Sequence, residues 1–268
     1  MIIDKCIFCN VPSIDLGVKK VEGLNIKRTE YTIAQCPKCK LFWTKDPSDD
    51  YEKIYEGEYW HEHMKDIGGW QVEDEARVNN DKKWAKVRKD DIKKWFPEKG
   101  TVLEIGCSTG SMLELCKSLG HECVGVEPDY KATIQATKLT GCKIVQHIAA
   151  LSDKRSFEFP NQYDYLLALD VIEHVTFPVR EAAQWIEKVK IGGVIWIECP
   201  DAGCEDAVAN NRGPVPELEF GYLMPFEHIY QFRKEHIIRL FEEMGCICIS
   251  ASNVFTTDRQ RCIFRKVW

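Results

Sequence analysis

The spacing of apolar residues changes along the chain. Residues 1 to about 60 carry short alternating stretches, paired cysteines and aromatics, and residues 72–79 are polar. From Asn80 the spacing predicts a helix, with Trp84, Val87, Ile92, Trp95 and Phe96 roughly along one face and Pro97 and Gly100 as its stop. From Thr101 strand-like and helix-like runs alternate. "TVLEI" reads as a buried strand, 109–119 as a helix ended by Gly120, "ECVGV" (122–126) as a second strand and 130–140 as a helix closed by Gly141. "CKIVQ" (142–146) and "YDYLLAL" (163–169) follow as strands. A helix over 178–190 precedes Gly192-Gly193, and "GVIWIEC" (193–199) is a fifth strand. Repeated strand–helix–strand units predict a parallel sheet covered by helices on both faces.

The rhythm breaks at 200–231, a long irregular stretch of a kind that is uncommon in compact domains and often functional. A helix over 233–244, stopped by Gly245, leads into "CICISAS" and "RCIFRKV", two strands separated by a polar turn. There is no internal repeat and no low-complexity segment.

Composition adds exclusions. The 268 residues are 44% hydrophobic and 29% charged, which suits a globular chain. A formal net charge of -6 gives no general attraction to phosphate, so nucleic acid is not an expected partner. The start, "MIIDKCIFCN", has no basic-then-apolar leader pattern, and no apolar run approaches the roughly 20 residues that span a bilayer. The expectation is a cytoplasmic protein with no membrane partner. The 13 cysteines, an odd number scattered through strands and helices, predict mostly reduced thiols rather than a disulfide framework.

Two constellations carry chemistry. In "VLEIGCSTGS", Gly106 and Gly110 flank three small residues between a strand and a helix. Small residues let a ligand approach the backbone, and the helix start presents free N–H groups. Glu127 ends the second strand, where an acid can accept hydrogen bonds from both hydroxyls of a ribose. Glu104, beside the turn, would repel a pyrophosphate and suits a cofactor bearing an ammonium group. A nicotinamide-dependent oxidoreductase and a non-catalytic cofactor-binding module remain the alternatives here. The second constellation is Cys6-x-x-Cys9 and Cys36-x-x-Cys39. Four such thiolates can surround zinc tetrahedrally with no open position, which predicts a structural site. Acids and bases are nearly balanced over residues 1–60, unlike a finger that reads nucleic acid.

From Thr101 onward the chain resembles the class I S-adenosylmethionine-dependent methyltransferases. The resemblance lies in "EIGCSTG" with Ser108 at the middle glycine of the family motif, the acid Glu127, "YDYLLALDVIEHV", "GGVIWIECPD" and the final hairpin. It implies an α/β, Rossmann-like, seven-stranded mostly parallel sheet with a C-terminal antiparallel hairpin. It also implies roles: Glu104 at the methionine amino end, Gly106, Ser108 and Gly110 lining the cofactor, and Glu127 on the ribose. Ala149 would border the adenine and Leu169 the amino-acid portion. The cysteine pairs, with "CPKCKLFWT" leading into "DDYEKIYEGEYW", resemble a bacterial subgroup that carries an N-terminal zinc ribbon and is linked to methylation of sugars, polysaccharides and natural products. The expected organisation is a zinc-ribbon module over 1–60, a linker and helix over 61–100, and a methyltransferase domain over 101–268 in which 200–231 covers the acceptor. The expected acceptor is a small molecule, a hydroxyl of a sugar, nucleotide sugar or related metabolite.

Methyl transfer to a hydroxyl needs a proton acceptor. His174 in "LDVIEHV" and His228 in "MPFEHIYQF" are the candidates, since histidine titrates near neutral pH. His228 is favoured because it ends the long segment, and such segments carry acceptor chemistry. Glu173-His174 also resembles a motif of ubiquinone-pathway O-methyltransferases. Tyr222, Tyr230 and Asp170 are secondary candidates, and His61, His63, Trp60, Trp70 and Phe220 could line the acceptor pocket.

Overall fold

The strand that opens the alternating region is apolar on both faces because it lies at the centre of a sheet. In the computed structural model, which describes residues 1–21, 28–47, 74–146, 162–203, 221–254 and 258–268, β4 (Thr101–Ile105) pairs in parallel with both β5 (Glu122–Glu127) and β7 (Tyr163–Leu169). β6 (Lys143–Gln146) adds to β5, and β8 (Val189–Pro200) adds to β7, again in parallel. β11 (Arg259–Lys266) pairs antiparallel with β8, and β10 (Cys246–Asn253) pairs antiparallel with β11. The seven strands stand in the order β10-β11-β8-β7-β4-β5-β6, a mostly parallel sheet with the C-terminal antiparallel hairpin that the resemblance implies. Such a sheet collects the carboxyl ends of its parallel strands along one edge, where ligands bind in open α/β folds.

Six α-helices are described: α1 (Glu75–Lys86), α2 (Lys89–Trp95), α3 (Ser111–Ser118), α4 (Tyr130–Thr140), α5 (Pro178–Glu187) and α6 (Lys234–Glu242). The region expected as one helix from Asn80 is two, and it starts earlier. Trp84 and Val87 do not share the buried face with Ile92 and Phe96; both are exposed. The break between the helices turns Arg88 inward instead. Its guanidinium donates to Glu198 of β8 at 3.0 and 2.6 Å, and Arg261 of β11 donates to the other oxygen of the same carboxylate at 2.6 Å. Burial alone would raise the Glu198 carboxyl, but the two guanidiniums outweigh it and hold the group below its ordinary range.

The N-terminal residues form a second, antiparallel sheet of β1 (Ile14–Lys20), β2 (Glu30–Gln35) and β3 (Phe42–Thr44). Its fourth strand is β9 (Tyr230–Gln231), which comes from the far end of the chain. The cysteine module is therefore closed by a strand that sequence order places elsewhere. Trp43, Leu41, Ala34 and Cys36 lie in one continuous core with Leu166, Ile195, Phe241 and Phe264 of the large sheet and α6. Burying a side chain the size of Trp43 stabilises by roughly 1.5–3 kcal/mol or more, so the module is anchored as well as paired.

Candidate functional site

The glycine turn follows β4. Gly106 has φ of 69° and Ser108 of 46°, both left-handed, before α3 begins at Ser111. A Cβ on Gly106 would lie 2.6 Å from the Val171 side chain, so this position has no room for one. Gly110, with φ of 82°, has its missing Cβ turned toward Ala136 and Thr140 of α4, both at 3.0 Å. Its role is close packing of α3 on α4. The Gly106 and Cys107 amides both donate to Val126 O, at 2.8 and 3.0 Å, which seats the turn over the end of β5.

Glu127 braces this turn from below. Its two carboxylate oxygens accept from the Ser108 amide at 2.7 Å and the Asp129 amide at 3.1 Å. Burial, helped by the charge of Asp129, outweighs the downward pull of the two amides and holds the carboxyl at about 7. Glu104, at the end of β4, is 3% exposed, and its Oε2 has no hydrogen-bond partner. Burial first and the charge of Glu127 second hold the Glu104 carboxyl well above the ordinary carboxylate range, against the opposite pull of Arg88 and the Leu113 amide. A buried carboxylate oxygen left without a partner costs free energy until a donor or cation reaches it. Leu169, at the end of β7, is half-buried on the same strand edge. Ala149 lies outside the described residues, as do His61, His63, Trp60, Trp70 and Phe220.

The helix before the turn contributes a contact with no local sequence signal. Thr109 donates to Asp81 of α1 at 2.9 Å, Arg77 pairs with Asp81 at 3.0 Å, and Lys82 pairs with Glu114 of α3 at 3.1 Å. α1 is thereby fastened onto the glycine turn.

Across from the turn, the chain leaves β7 through Asp170, with φ of 56°, into a 3-10 turn over Ile172–His174. The segment 221–231 folds against that turn. Ile229 N donates to Glu173 O at 2.9 Å, and the His174 and His228 rings meet edge to face with centroids 4.5 Å apart. The sequence predicted the two histidines separately; the structure brings them together. His174 Nδ1 lies 2.9 Å from Glu227 O, and His228 Nδ1 lies 2.7 Å from Tyr222 O. A carbonyl only accepts, so each Nδ1 carries the proton and each Nε2 carries the lone pair. Burial lowers both imidazoles, His174 to about 3 with the neighbouring His228 adding to the effect, so both are neutral near pH 7. Glu173 is 2% exposed with neither carboxylate oxygen hydrogen-bonded, its Oε1 3.9 Å from His174 Nε2, and ligand atoms of Glu173, His174 and His228 all lie within 4.8 Å of one another. The secondary candidates have other work. Tyr230 donates to Thr176 O at 3.3 Å, Asp170 is paired with Arg259, and Tyr222 interacts with Arg259 and Asp258.

The four cysteines converge as their spacing predicts. Cys6 and Cys39 Sγ lie 3.6 Å apart, and ligand atoms of Cys6, Cys9, Cys36 and Cys39 all fall within 4.8 Å of one another. Amides of Cys9 and Cys39 point at Cys6 and Cys36 Sγ, each at 3.4 Å, and Asn10 and Lys40 take left-handed φ of 50° and 64° just after each pair. At Cys36 burial, which raises the thiol, is outweighed by the Cys39 and Lys38 amides, and it falls to about 7. Four sulfurs with N–H···S support fit a tetrahedral zinc-type ion.

A sequence profile described as a methyltransferase domain matches residues 77–251, more than half of the chain. The chain belongs to the methyltransferase-domain family. Among relatives of this methyltransferase-domain chain, the ubiquinone biosynthesis O-methyltransferase of Aliivibrio fischeri (strain MJ11) is 28% identical over 99 residues, which is 35% of this chain and 42% of that protein. The enzyme of the same name from Colwellia psychrerythraea is 25% identical over 158 residues, 57% of this chain and 63% of that protein. The chain thus spans less than two thirds of the length of these curated relatives. The crystal structure of magnesium protoporphyrin IX methyltransferase from Synechocystis PCC 6803, with S-adenosylmethionine bound, superposes with a TM-score of 0.55 at 13% identity, covering 83% of this chain and all of that one. At that identity the likeness is one of fold. No helix among the described residues of the methyltransferase-domain protein is long and apolar enough to cross a membrane.

Proposed function

We propose that this protein transfers a methyl group from S-adenosylmethionine to a hydroxyl of a small molecule, a sugar, nucleotide sugar or related metabolite. The observation that carries the reading is the presence of two half-sites beyond the carboxyl ends of neighbouring strands: a glycine turn with an orphaned buried acid after β4, and two neutral histidines in contact with each other, one in the turn after β7 and one in segment 221–231. When bound, S-adenosylmethionine supplies a methyl group made electrophilic by its sulfonium. Glu104 holds the cationic amino end, Glu127 accepts from the ribose hydroxyls with the lone pairs its amide partners leave open, and Gly106 and Ser108 border the cofactor. His228 accepts the acceptor's hydroxyl proton on Nε2, with His174 beside it. The relatives' O-methyltransferase names agree with an oxygen acceptor.

The test is calorimetric and then chemical. S-adenosylhomocysteine should bind and NADH should not; the reverse result returns the oxidoreductase reading. A screen with labelled methyl donor against sugar nucleotides and phenolic metabolites then identifies the acceptor. Cofactor binding carries a further signature. A carboxylate held at about 7 is protonated in much of the free protein below that pH, and must lose the proton to accept two hydroxyls. Affinity should therefore rise toward pH 7 by up to about tenfold per unit and level off above it, with proton release seen as buffer-dependent heat. A pH-independent affinity between 5.5 and 8 would remove Glu127 from the ribose.

The four cysteines are assigned to one structural zinc. Purified protein should contain one zinc per chain, and Cys36→Ser should lose it; metal analysis finding none in reduced, chelator-free protein would return the thiols to ordinary core residues. A second reading of the acceptor side rests on the convergence of Glu173, His174 and His228. Two imidazole lone pairs and a carboxylate suit a divalent cation, which would lower the pKa of a coordinated hydroxyl. Turnover that depends on an added divalent cation, and is lost in Glu173→Gln, favours this reading; turnover indifferent to added cation favours the base.

A further inference from the structure

The cysteine module ends in a residue that touches the histidine segment. Thr44, fully buried, donates its amide to Ile229 O at 2.8 Å. Its Oγ1 lies 3.3 Å from Pro225 O and 3.4 Å from His228 O, so its single hydroxyl proton is shared between a carbonyl three residues before the histidine and the histidine's own. Phe42 and Trp43 pair in register with Gln231 and Tyr230. The turn that presents His228 is thus held by β3 on one side and by Glu173 on the other. β3 is itself fixed close to the second cysteine pair: Cys36 N donates to Leu41 O at 2.8 Å, and His236 Nε2 of α6 donates to Cys39 O at 3.0 Å.

We infer that the four-cysteine module positions His228, with Thr44 as the residue that couples them. The inference rests on the acceptor-side reading of His228 given above. The cysteine centre sets the path of residues 36–44, Thr44 sets the carbonyls at 225, 228 and 229, and these fix the turn in which Tyr222 O holds the Nδ1–H tautomer. An N-terminal zinc module would then do more than stabilise the chain. It would hold the acceptor-side imidazole with its Nε2 lone pair exposed to the site, while the cofactor half-site, built on β4 and β5, stays independent of it. Had burial been the only demand at position 44, a valine of the same shape would meet it; the hydroxyl serves Pro225 O and shares His228 O with the Gln231 side-chain amide, which donates there at 3.1 Å.

The experiment uses the full chain, uniformly labelled with nitrogen-15. Long-range proton–nitrogen spectra of the zinc-loaded wild type should show His228 in one fixed tautomer. In Thr44→Val, and in wild type stripped of zinc by EDTA under reducing conditions, the His228 nitrogens should average between tautomers. Amide exchange over 225–231 should speed up roughly tenfold, the scale of one lost hydrogen bond. S-adenosylhomocysteine affinity should stay within about twofold, and Thr44→Ser should restore the wild-type spectrum. A fixed tautomer and unchanged exchange in folded, zinc-free protein would overturn the coupling, and so would a cofactor affinity that falls in step with exchange. Zinc removal from the wild type gives the answer even if Thr44→Val does not fold. These readouts need no acceptor: His228→Ala with full turnover would end the catalytic reading of His228 and leave the coupling measured on its own.

Discussion

His228→Ala is expected to lower turnover by about 10²–10⁴-fold, the usual contribution of a positioned general base, with cofactor affinity little changed. The imidazole is buried with Nδ1 committed to Tyr222 O, so on the proposed reading Nε2 would be the nitrogen that takes the acceptor's proton. Burial lowers its pKa, and the neutral form therefore persists below the ordinary histidine value near 6.5. The acid limb of the turnover profile should fall below that value. His174→Ala is the control. His174 sits at about 3, too weak a base for efficient proton transfer near neutrality. A larger loss in His174→Ala, with His228→Ala close to wild type, would exchange the two roles. Full turnover in both, with chemistry rate-limiting, would leave alignment alone or a group such as Tyr222.

Glu127→Ala should weaken cofactor binding by roughly 10²–10⁴-fold. On the proposed ribose role, two charge-assisted hydrogen bonds would be lost, each worth about 1.5–3 kcal/mol. The carboxylate also accepts from Ser108 N and Asp129 N, so alanine releases the glycine turn as well. Glu127→Gln is the milder variant: it loses the charge but keeps an acceptor oxygen for one of the two amides, Ser108 N or Asp129 N. Calorimetry with S-adenosylhomocysteine measures both. Unchanged affinity in a folded alanine variant would remove the ribose assignment.

The glycine turn, the acids at the ends of β4 and β5, the seven strands and the two cysteine pairs were legible in the sequence because each is written in a short window. A buried central strand needs apolar residues on both faces, and a left-handed turn needs glycine or a small polar residue. The remaining features depend on residues far apart. Trp84 and Val87 fit a helical face on paper, but the helix breaks at Arg88, whose guanidinium pairs with Glu198, more than a hundred positions later. The clasp of Asp81 on Thr109, the edge-to-face histidines and Thr44 beneath them are pairings between segments whose local patterns carry no trace of each other. Gly110 lies in the motif as expected, and its missing side chain is also what lets α3 pack closely on α4.

The closure of the N-terminal sheet by β9 has a consequence for biosynthesis. Trp43 pairs with Tyr230, roughly 190 residues further along. At about 5–20 residues per second a ribosome needs on the order of 10–40 s to cover that distance. During that interval the two cysteine pairs can come together, while the edge of Phe42, Trp43 and Thr44, with its two aromatics, waits without its partner strand. An unpaired apolar edge is where nascent chains aggregate or recruit chaperones. Yield in cells should therefore respond to translation rate and chaperone supply more steeply than the finished protein's stability alone would dictate.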